Sequence, residues 1–339
     1  MLYKTIIQGN IEFGTEKSYE KALKMFVTRT ETYYKSDILF EPEEIFFKDS
    51  LSVNVPRYVK QVYEKSYKNT AALLEYIVQF GVSGELNTWL LDEGKILDFR
   101  NLEPQSDKVA VQQFMKGRSL VEQEGQEDAA IEALNKAIEK YDRHAQAYER
   151  RAWVNFLLKK HHDAYRDYKK SLGFDPNNPY AYFGRANVYI SQEKFDEALE
   201  DLQMAIKKSV ALQEIHWKAR KLKGKIHLKR EEYPQAEFEL KLFTKRKFPE
   251  GSNMLMYKRE GFFEYGMVLL ELEKYAEAIE AFEASLDIAE GIDKIPDSKK
   301  LRYRGLAKQR AGQNGYIKDI KEAADMGDKE AADMLKAIA

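Results

Sequence analysis

The sequence predicts an all-α protein: an α-α superhelical solenoid joined to a mostly helical N-terminal module that carries one β-hairpin. Three observations predict it. Two 34-residue units lie end to end between Ala145 and Val210, with matching residues at matching places. Small residues at helical spacing keep returning in phase through the C-terminal two thirds of the chain. Between Glu85 and Glu103 the apolar period changes to that of strands.

Tyr19, Ala22 and Phe26 have the spacing of a repeat's second helix, and Gly9 sits where its first helix needs a small residue, so residues 2–34 read as a degenerate repeat. Pro42 to Phe47 and Pro56 to Phe80 then read as helices. The apolar set of the second is Tyr58, Val62, Tyr63, Leu73, Leu74, Ile77 and Val78, with Asn69-Thr70 as its dividing point. Residues 85–103 read as two strands, Leu86 to Leu91 and Ile96 to Phe99, joined by a tight turn at Asp92-Glu93-Gly94. An isolated hairpin is marginal in water, so it is expected to pack on the helices before it. Glu103-Pro104-Gln105-Ser106 reads as a linker, which makes residues 1–105 the N-terminal module.

From Lys108 onward, small residues fall where two helices of one unit cross closest: Gly117, Ala152, Ala186, Gly224, Gly266 and Gly305 in the first helix. Ala130, Ala164, Ala198, Ala236 and Ala278 answer them in the second helix, with Ile317 in their place in the sixth unit. Four residues further on stand Leu134, Tyr168, Leu202, Leu240, Phe282 and, out of pattern, Lys321. This arrangement resembles the tetratricopeptide repeat family, whose units are pairs of antiparallel helices. The resemblance covers about six units over residues 108–326. The helix-B alanines are spaced 34, 34, 38 and 42 residues apart (130, 164, 198, 236, 278), and Ile317 follows 39 later, so the later units carry insertions. These fall near Val210 to Trp217, Phe248 to Met256 and Gly291 to Ser298. Residues 327–339 read as a capping helix, with Asp328 as N-cap and Ala331, Met334, Leu335 and Ile338 as its apolar stripe.

Charged residues make up 33% of the 339, yet the formal net charge is only -1, so any electrostatic recognition is local. The N-terminus lacks the basic and apolar regions of a secretory signal, and no run approaches a membrane span; a cytoplasmic location is the expectation that follows. With no cysteine, thiolate and Cys-ligated metal chemistry are excluded. All five histidines lie between 144 and 227, and no phosphate-loop, dinucleotide, zincin or calcium-loop motif occurs, so neither enzyme activity nor a cofactor is expected. His161-His162-Asp163 invites a metal reading. Adjacent helical residues point about 100° apart, however, and His161 holds the aromatic packing place that Phe195, Tyr233 and Tyr275 take elsewhere.

Repeat arrays of this family are interaction surfaces, and the resemblance implies where the surface lies. At its concave helix-A positions stand Arg150, Trp153 and Phe156, then Tyr180, Phe183 and Asn187, then Lys218, Lys221 and Lys225. Aromatics beside cations suit a peptide or protein segment, and an acidic one in particular. Packing between neighbouring helices is the competing account of Trp153 and Phe156. Between His216 and Lys247, eleven cations face four anions, a local excess of about seven; it is either a solvated helix face or the selector for acid. Nucleic acid is disfavoured because the rest of the array does not continue that charge. One subclass of the family grips a chaperone's C-terminal carboxylates with Lys, Asn, Asn, Lys and Arg. Here the best register keeps only Lys221 and Lys299, with Lys225, Glu264 and Tyr303 at the other places. The sequence therefore predicts a non-catalytic binding scaffold. The alternatives are an activity in residues 1–105 with the repeats recruiting its substrate, or a co-chaperone or regulatory subunit; the oligomeric state is left open.

Overall fold

The structure, a computed structural model, describes residues 1–288 and 295–338 and divides into two compact units, Met1–Val188 and a second from Tyr189 onward. The first unit opens with a five-stranded antiparallel sheet of order β2-β3-β1-β4-β5. Its strands are β1 (Leu2–Glu12), β2 (Phe46–Phe47), β3 (Ser52–Tyr63), β4 (Ser83–Asp92) and β5 (Lys95–Leu102). Helices α1 (Glu16–Thr32), α2 (Pro42–Ile45) and α3 (Glu64–Val78) accompany it, and Phe26, Leu73, Leu74 and Ile77 pack with Ile7, Ile11, Val53 and Leu86 in one core.

This corrects the expected mostly helical module. Residues 2–34 are not a degenerate repeat. Tyr19, Ala22 and Phe26 do line the buried face of α1, but the partner before it is a strand. Gly9 is glycine for a different reason: at φ +141° a Cβ there would collide with the Glu85 carbonyl, and Gly84 at φ +97° meets the Asn10 carbonyl in the same way. The pair lets β1 and β4 close. Pro56 to Phe80 is a strand to Tyr63 and only then a helix. Val53, Val55, Tyr58, Val59 and Val62 are β-branched or aromatic, and Pro56 sits at the register shift opposite Ile7 to Gly9, where a missing donor is tolerated. Asn69 and Thr70 do not divide α3; their side chains bind the Asp37 carbonyl and the Leu39 amide of the preceding loop. The hairpin expected at 85–103 is β4 and β5, turning at Glu93 (φ 46°) and Gly94 (φ 85°), and it supplies two of the five strands.

The linker at 103–106 does not isolate the sheet from the helices after it. Lys108 donates to the carbonyls of Phe80 and Gly81, Arg118 pairs with Glu103 at 2.6 Å, and Tyr141 donates to Glu12 at 2.8 Å. Helix pairs follow it. In the first unit they are α4 (Val109–Val121) with α5 (Glu127–Lys140), then α6 (Ala145–Leu157) with α7 (His161–Phe174); α8 (Pro179–Ser191) carries the boundary between units. The second unit holds α9 (Phe195–Lys208), α10 (Glu214–Lys229) with α11 (Tyr233–Lys245), α12 (Lys258–Glu271) with α13 (Tyr275–Asp287), and α14 (Asp297–Arg310) with α15 (Tyr316–Asp325). It ends in α16 (Lys329–Ile338).

Each pair closes where a small residue of the first helix meets a bulky residue of the second. A Cβ added at Gly117 would lie 2.6 Å from Leu134, at Gly224 2.7 Å from Leu240, at Gly266 2.6 Å from Phe282, and at Gly305 2.8 Å from Ile320. The last contact corrects the sequence alignment of the sixth unit. Its hairpin is one residue shorter, so Ile320 and not Lys321 fills the groove, while Ile317 is 47% exposed. Beside these contacts runs a recurring ion pair: Arg151 with Asp167 (2.7 Å), Lys223 with Glu239 (2.9 Å) and Arg304 with Asp319 (2.7 Å), each carboxylate being buried.

The turns within pairs share one geometry. Lys159, Glu193, Glu231 and Glu273 all have φ between 58° and 60°, and Gly125 and Gly312 take the corresponding places at φ 81° and 66°. The next amide bonds five residues back, Lys160 to Asn155 at 2.8 Å and Glu232 to His227 and Lys274 to Leu269 at 2.9 Å, which satisfies a carbonyl the helix end leaves free. At the far end Asp328 caps α16 by accepting from the Ala331 amide at 3.0 Å, and Ala331 packs with Leu301, Ile320 and Ala323. Of the expected insertions, 248–256 is a loop running into a 3-10 turn at Asn253–Tyr257; the one at 291–298 lies partly outside the described residues, as does the Ile338 side chain.

Three glycine substitutions separate these effects. Gly266→Ala is expected to lose about 1–3 kcal/mol through overpacking against Phe282. Gly312→Ala, with open space around its Cβ but left-handed backbone, should lose about 1 kcal/mol. Gly173→Ala, helical and unobstructed, should gain roughly half a kcal/mol. Urea denaturation midpoints check the order; a Gly266→Ala protein as stable as Gly173→Ala contradicts the close crossing.

Candidate interaction surface

The helix-A residues singled out by sequence fall into two sets, one in each compact unit. In the first unit Arg150 and Trp153 lie on α6, and Tyr180, Phe183 and Asn187 on α8, all half-buried. Trp153 stacks on Phe156 with ring centroids 5.8 Å apart, and Phe156 meets the edge of His161 at 5.5 Å. His161 is thus in the aromatic packing place its spacing predicted. Arg150 lies over the Tyr180 ring at 5.9 Å and pairs with Glu149 at 3.3 Å. Asn187 donates to the Phe183 carbonyl at 2.8 Å, one turn back on its own helix.

The N-terminal sheet reaches the same face of α6. Gln146 accepts from the Gly84 amide at 2.9 Å. Burial pushes the Glu149 carboxyl above its ordinary value; Arg150 opposes this and the neighbouring Glu85 of β4 adds to it. Counting Ala145 as the first residue of its unit, Gln146, Glu149 and Arg150 hold the concave positions 2, 5 and 6. The sequence reading missed this use of the face, because it expected the hairpin at 85–103 to pack on the helices before it and not on α6.

In the second unit Lys221 is buried and Lys225 exposed, and both turn to α12. Lys221 lies 2.7 Å from Glu260 and 3.4 Å from Glu264, and Lys225 repeats those distances from the same two carboxylates. Burial pushes the Glu264 carboxyl up to about 7; Lys221 opposes it and the Glu260 charge adds to it. Glu260 is also raised by burial, but contacts with Lys221 and Lys225 outweigh that and hold it at about 2. Lys218 sits over the Tyr257 ring at 5.7 Å and 4.0 Å from Glu214. Further along the same kind of face, Phe263 packs edge-on to Tyr303 at 5.5 Å and Lys299 lies 5.9 Å from the Phe263 ring.

Much of the basic run from His216 to Lys247 is satisfied in the same way. Arg220 and Lys223 share Glu239, Arg230 pairs with Asp196 and Glu232, and Lys229 and Arg246 lie over Phe195 and Trp217. Sequence reading counted charge within one repeat, whereas Asp196, Glu260 and Glu264 come from the repeats before and after it. Glu260 and Glu264, the residues it missed here, stand at concave positions 2 and 6 of the fifth unit. Aligning charge between successive first helices would have found them. Among the described residues no group of three or more potential metal ligands is gathered, and no described helix is long and apolar enough to cross a membrane.

Stacked antiparallel helix pairs with small-residue crossings define an α-solenoid. Residues 114–179, 179–209 and 260–291 each match the tetratricopeptide repeat, and the helix pairs there are repeats of that family. Solved structures share the fold. YrrB, described as a TPR protein with an unusual peptide-binding site, is 22% identical, with 61% of this chain and 99% of that one covered at a TM-score of 0.51. PilF of Pseudomonas aeruginosa is 16% identical, with 68% and 98% covered at a TM-score of 0.53. Neutrophil cytosol factor 2 of Mus musculus is 31% identical over 130 residues, 35% of this chain; the match spans only 24% of that relative's length.

The Lys–Glu cluster has a testable sign. Glu264 has a folded pKa above its unfolded value of about 4.3, so the stability it contributes is full below that value and is lost as pH rises toward about 7. Glu264→Gln should therefore flatten the fall in urea midpoint between pH 5 and pH 7.5 relative to wild type. An unchanged pH slope contradicts the assignment. Lys221→Ala, which leaves the buried Glu264 and its neighbour Glu260 with only the half-exposed Lys225, should cost about 3 kcal/mol, and Lys225→Ala, with half its side chain in water, less than about 1 kcal/mol.

Proposed function

We propose that the chain is a non-catalytic interaction scaffold that holds a peptide or protein segment on the helix-A face of its repeats. The observation that carries this reading is that each unit by itself presents half-exposed rings or cations from a fixed backbone, Trp153, Tyr180 and Phe183 in the first and Lys218 and Lys225 in the second. A face prefolded by close helix crossings loses little conformational entropy on binding, so aromatic contacts translate into affinity. The fold likeness to YrrB, whose own description includes a peptide-binding site, supports the class of ligand.

Preference for an acidic segment rests on fewer residues than the sequence suggested. Lys221 and Lys225 share Glu260 and Glu264, but Lys221 is buried, so Lys225 and Lys218, whose side chains are 52% and 32% exposed, are the cations within reach of a partner carboxylate. A carboxylate arriving beside Lys225 meets a cluster whose Glu264 takes up a proton near neutrality, so acidic ligands bind better as pH falls. Nucleic acid is a poorer fit, since most of the basic run is turned to the protein's own acids and rings. Catalysis in residues 1–105 called for a polar pocket beside Trp89; that place holds Phe99, stacked on Trp89 at 5.3 Å. A regulatory or co-chaperone role differs from the scaffold reading only in the partner, and the cytoplasm remains the proposed location.

The test is affinity capture from native lysate with the intact chain, beside Lys218→Glu/Lys225→Glu and Tyr180→Ala/Phe183→Ala variants that circular dichroism shows folded. The charge variant is expected to lose salt-sensitive capture of a specific protein, and the aromatic variant to lose capture at all salt concentrations. Identical capture by all three proteins contradicts binding on the helix-A face.

A further inference from the structure

Strand β5 closes one side of the sheet order, and no described strand pairs with its outer edge. Natural edge strands are usually shortened, charged or interrupted by proline, because an open ladder recruits another chain. This one is eight residues long and has no proline. Ile96, Leu97 and Phe99 are 47%, 51% and 50% exposed. An apolar row crosses the sheet in register, Val59 of β3 to Ile6 of β1 to Trp89 of β4 to Phe99 of β5. Ile6 and Trp89 are buried, and the row stops in the open at Phe99.

We propose that two copies of the chain pair β5 to β5, antiparallel about a two-fold axis at Phe99, so that their sheets become one. That register sets Phe99 opposite its own copy and extends the apolar row without a break, an aromatic cross-strand pair of the kind that stabilises sheets. It also sets Asp98 opposite the partner's Arg100, and Arg100 opposite the partner's Asp98, joining the Asp98–Arg100 pair that each chain already makes at 3.2 Å, beside Glu75 at 3.0 Å from Arg100, into one alternating cluster. A parallel pairing in register would instead set like charges side by side. The strand is thus its own electrostatic complement, which selects a second copy over an unrelated strand. A register shift between Leu90 and Leu91 leaves Leu97 outside the β4 ladder, so the new pairing is short and the dimer weak, with Kd on the order of 10 µM.

Sedimentation velocity on the full chain tests this, from about 1 to 200 µM to bracket that Kd. The mass is expected to rise from monomer to dimer across the range, and Phe99→Lys, confirmed folded by circular dichroism, to weaken association by about tenfold or more through like charges at the axis. The native chain has no cysteine, so single-cysteine variants report geometry directly. Under mild oxidation Phe99→Cys should cross-link into a covalent dimer, because directly opposed residues lie within disulfide reach. Tyr63→Cys, 63% exposed on β3, should not. A monomer at the highest concentration, a dimer indifferent to Phe99→Lys, or cross-linking at Tyr63→Cys in preference to Phe99→Cys would each overturn the proposal.

Discussion

The helix pairs of this protein depend on one steric constraint: the two helices of a repeat reach packing distance only where a side chain is missing. Gly224 admits Leu240 and Gly266 admits Phe282 at distances that leave no room for a methyl group. Bulky residues of the second helix also meet the first helix of the next pair. Tyr168 of α7 lies in one core with Ala152 and packs against Gly184 of α8, and Phe243 of α11 packs against Gly261 of α12. The stack is therefore propagated by nearest neighbours, as expected of a solenoid. The left-handed turn residue fixes the angle at which the second helix returns, even where a glutamate must adopt that backbone.

Charge follows the same neighbour logic. With 55 cations against 56 carboxylates the chain can satisfy its charges internally, and it does so across helices more than along them. Asp167, Glu239 and Asp319 stand beside the bulky residue of a second helix and hold a cation beside the small residue of the first. A buried carboxylate needs such a partner, because desolvation otherwise costs several kcal/mol. The Lys221–Glu260–Glu264 cluster extends this to successive first helices. Together with Glu239, Asp196 and Glu232 it turns most of a conspicuous basic run to the protein's own acids, while Lys218 and Lys225 keep part of their side chains in water.

The repeats were legible because their signal is steric and local: a small residue, a bulky one and a fixed spacing recur, and each recurrence constrains the rest. Where the period slipped by one residue, in the last hairpin, the reading slipped with it and put Lys321 where Ile320 belongs. The N-terminal sheet was less legible. Tyr19, Ala22 and Phe26 have helical spacing and do form a helix, which lent false support to a helix before them. Gly9 read as a crossing residue when it is a close approach between strands, and Pro56 obscured β3 because its bulge depends on a partner strand distant in sequence. The surface was half legible. Helix-A positions named side chains that are in part half-buried, but which of them remain available depends on Glu260, Glu264 and Glu85, supplied by other elements.

The measurement that tests the central constraint most directly is a double-mutant cycle on Gly224 and Leu240. In the wild-type background Gly224→Ala should cost about 1–3 kcal/mol by overpacking. In a Leu240→Ala background the obstructing side chain is gone, and the same change should be neutral or stabilise by up to about 1 kcal/mol through helix propensity. A coupling energy above about 1 kcal/mol is the predicted result. Additivity within about 0.5 kcal/mol would mean that the small residue is not there to admit the large one, and the account of the repeat would be wrong.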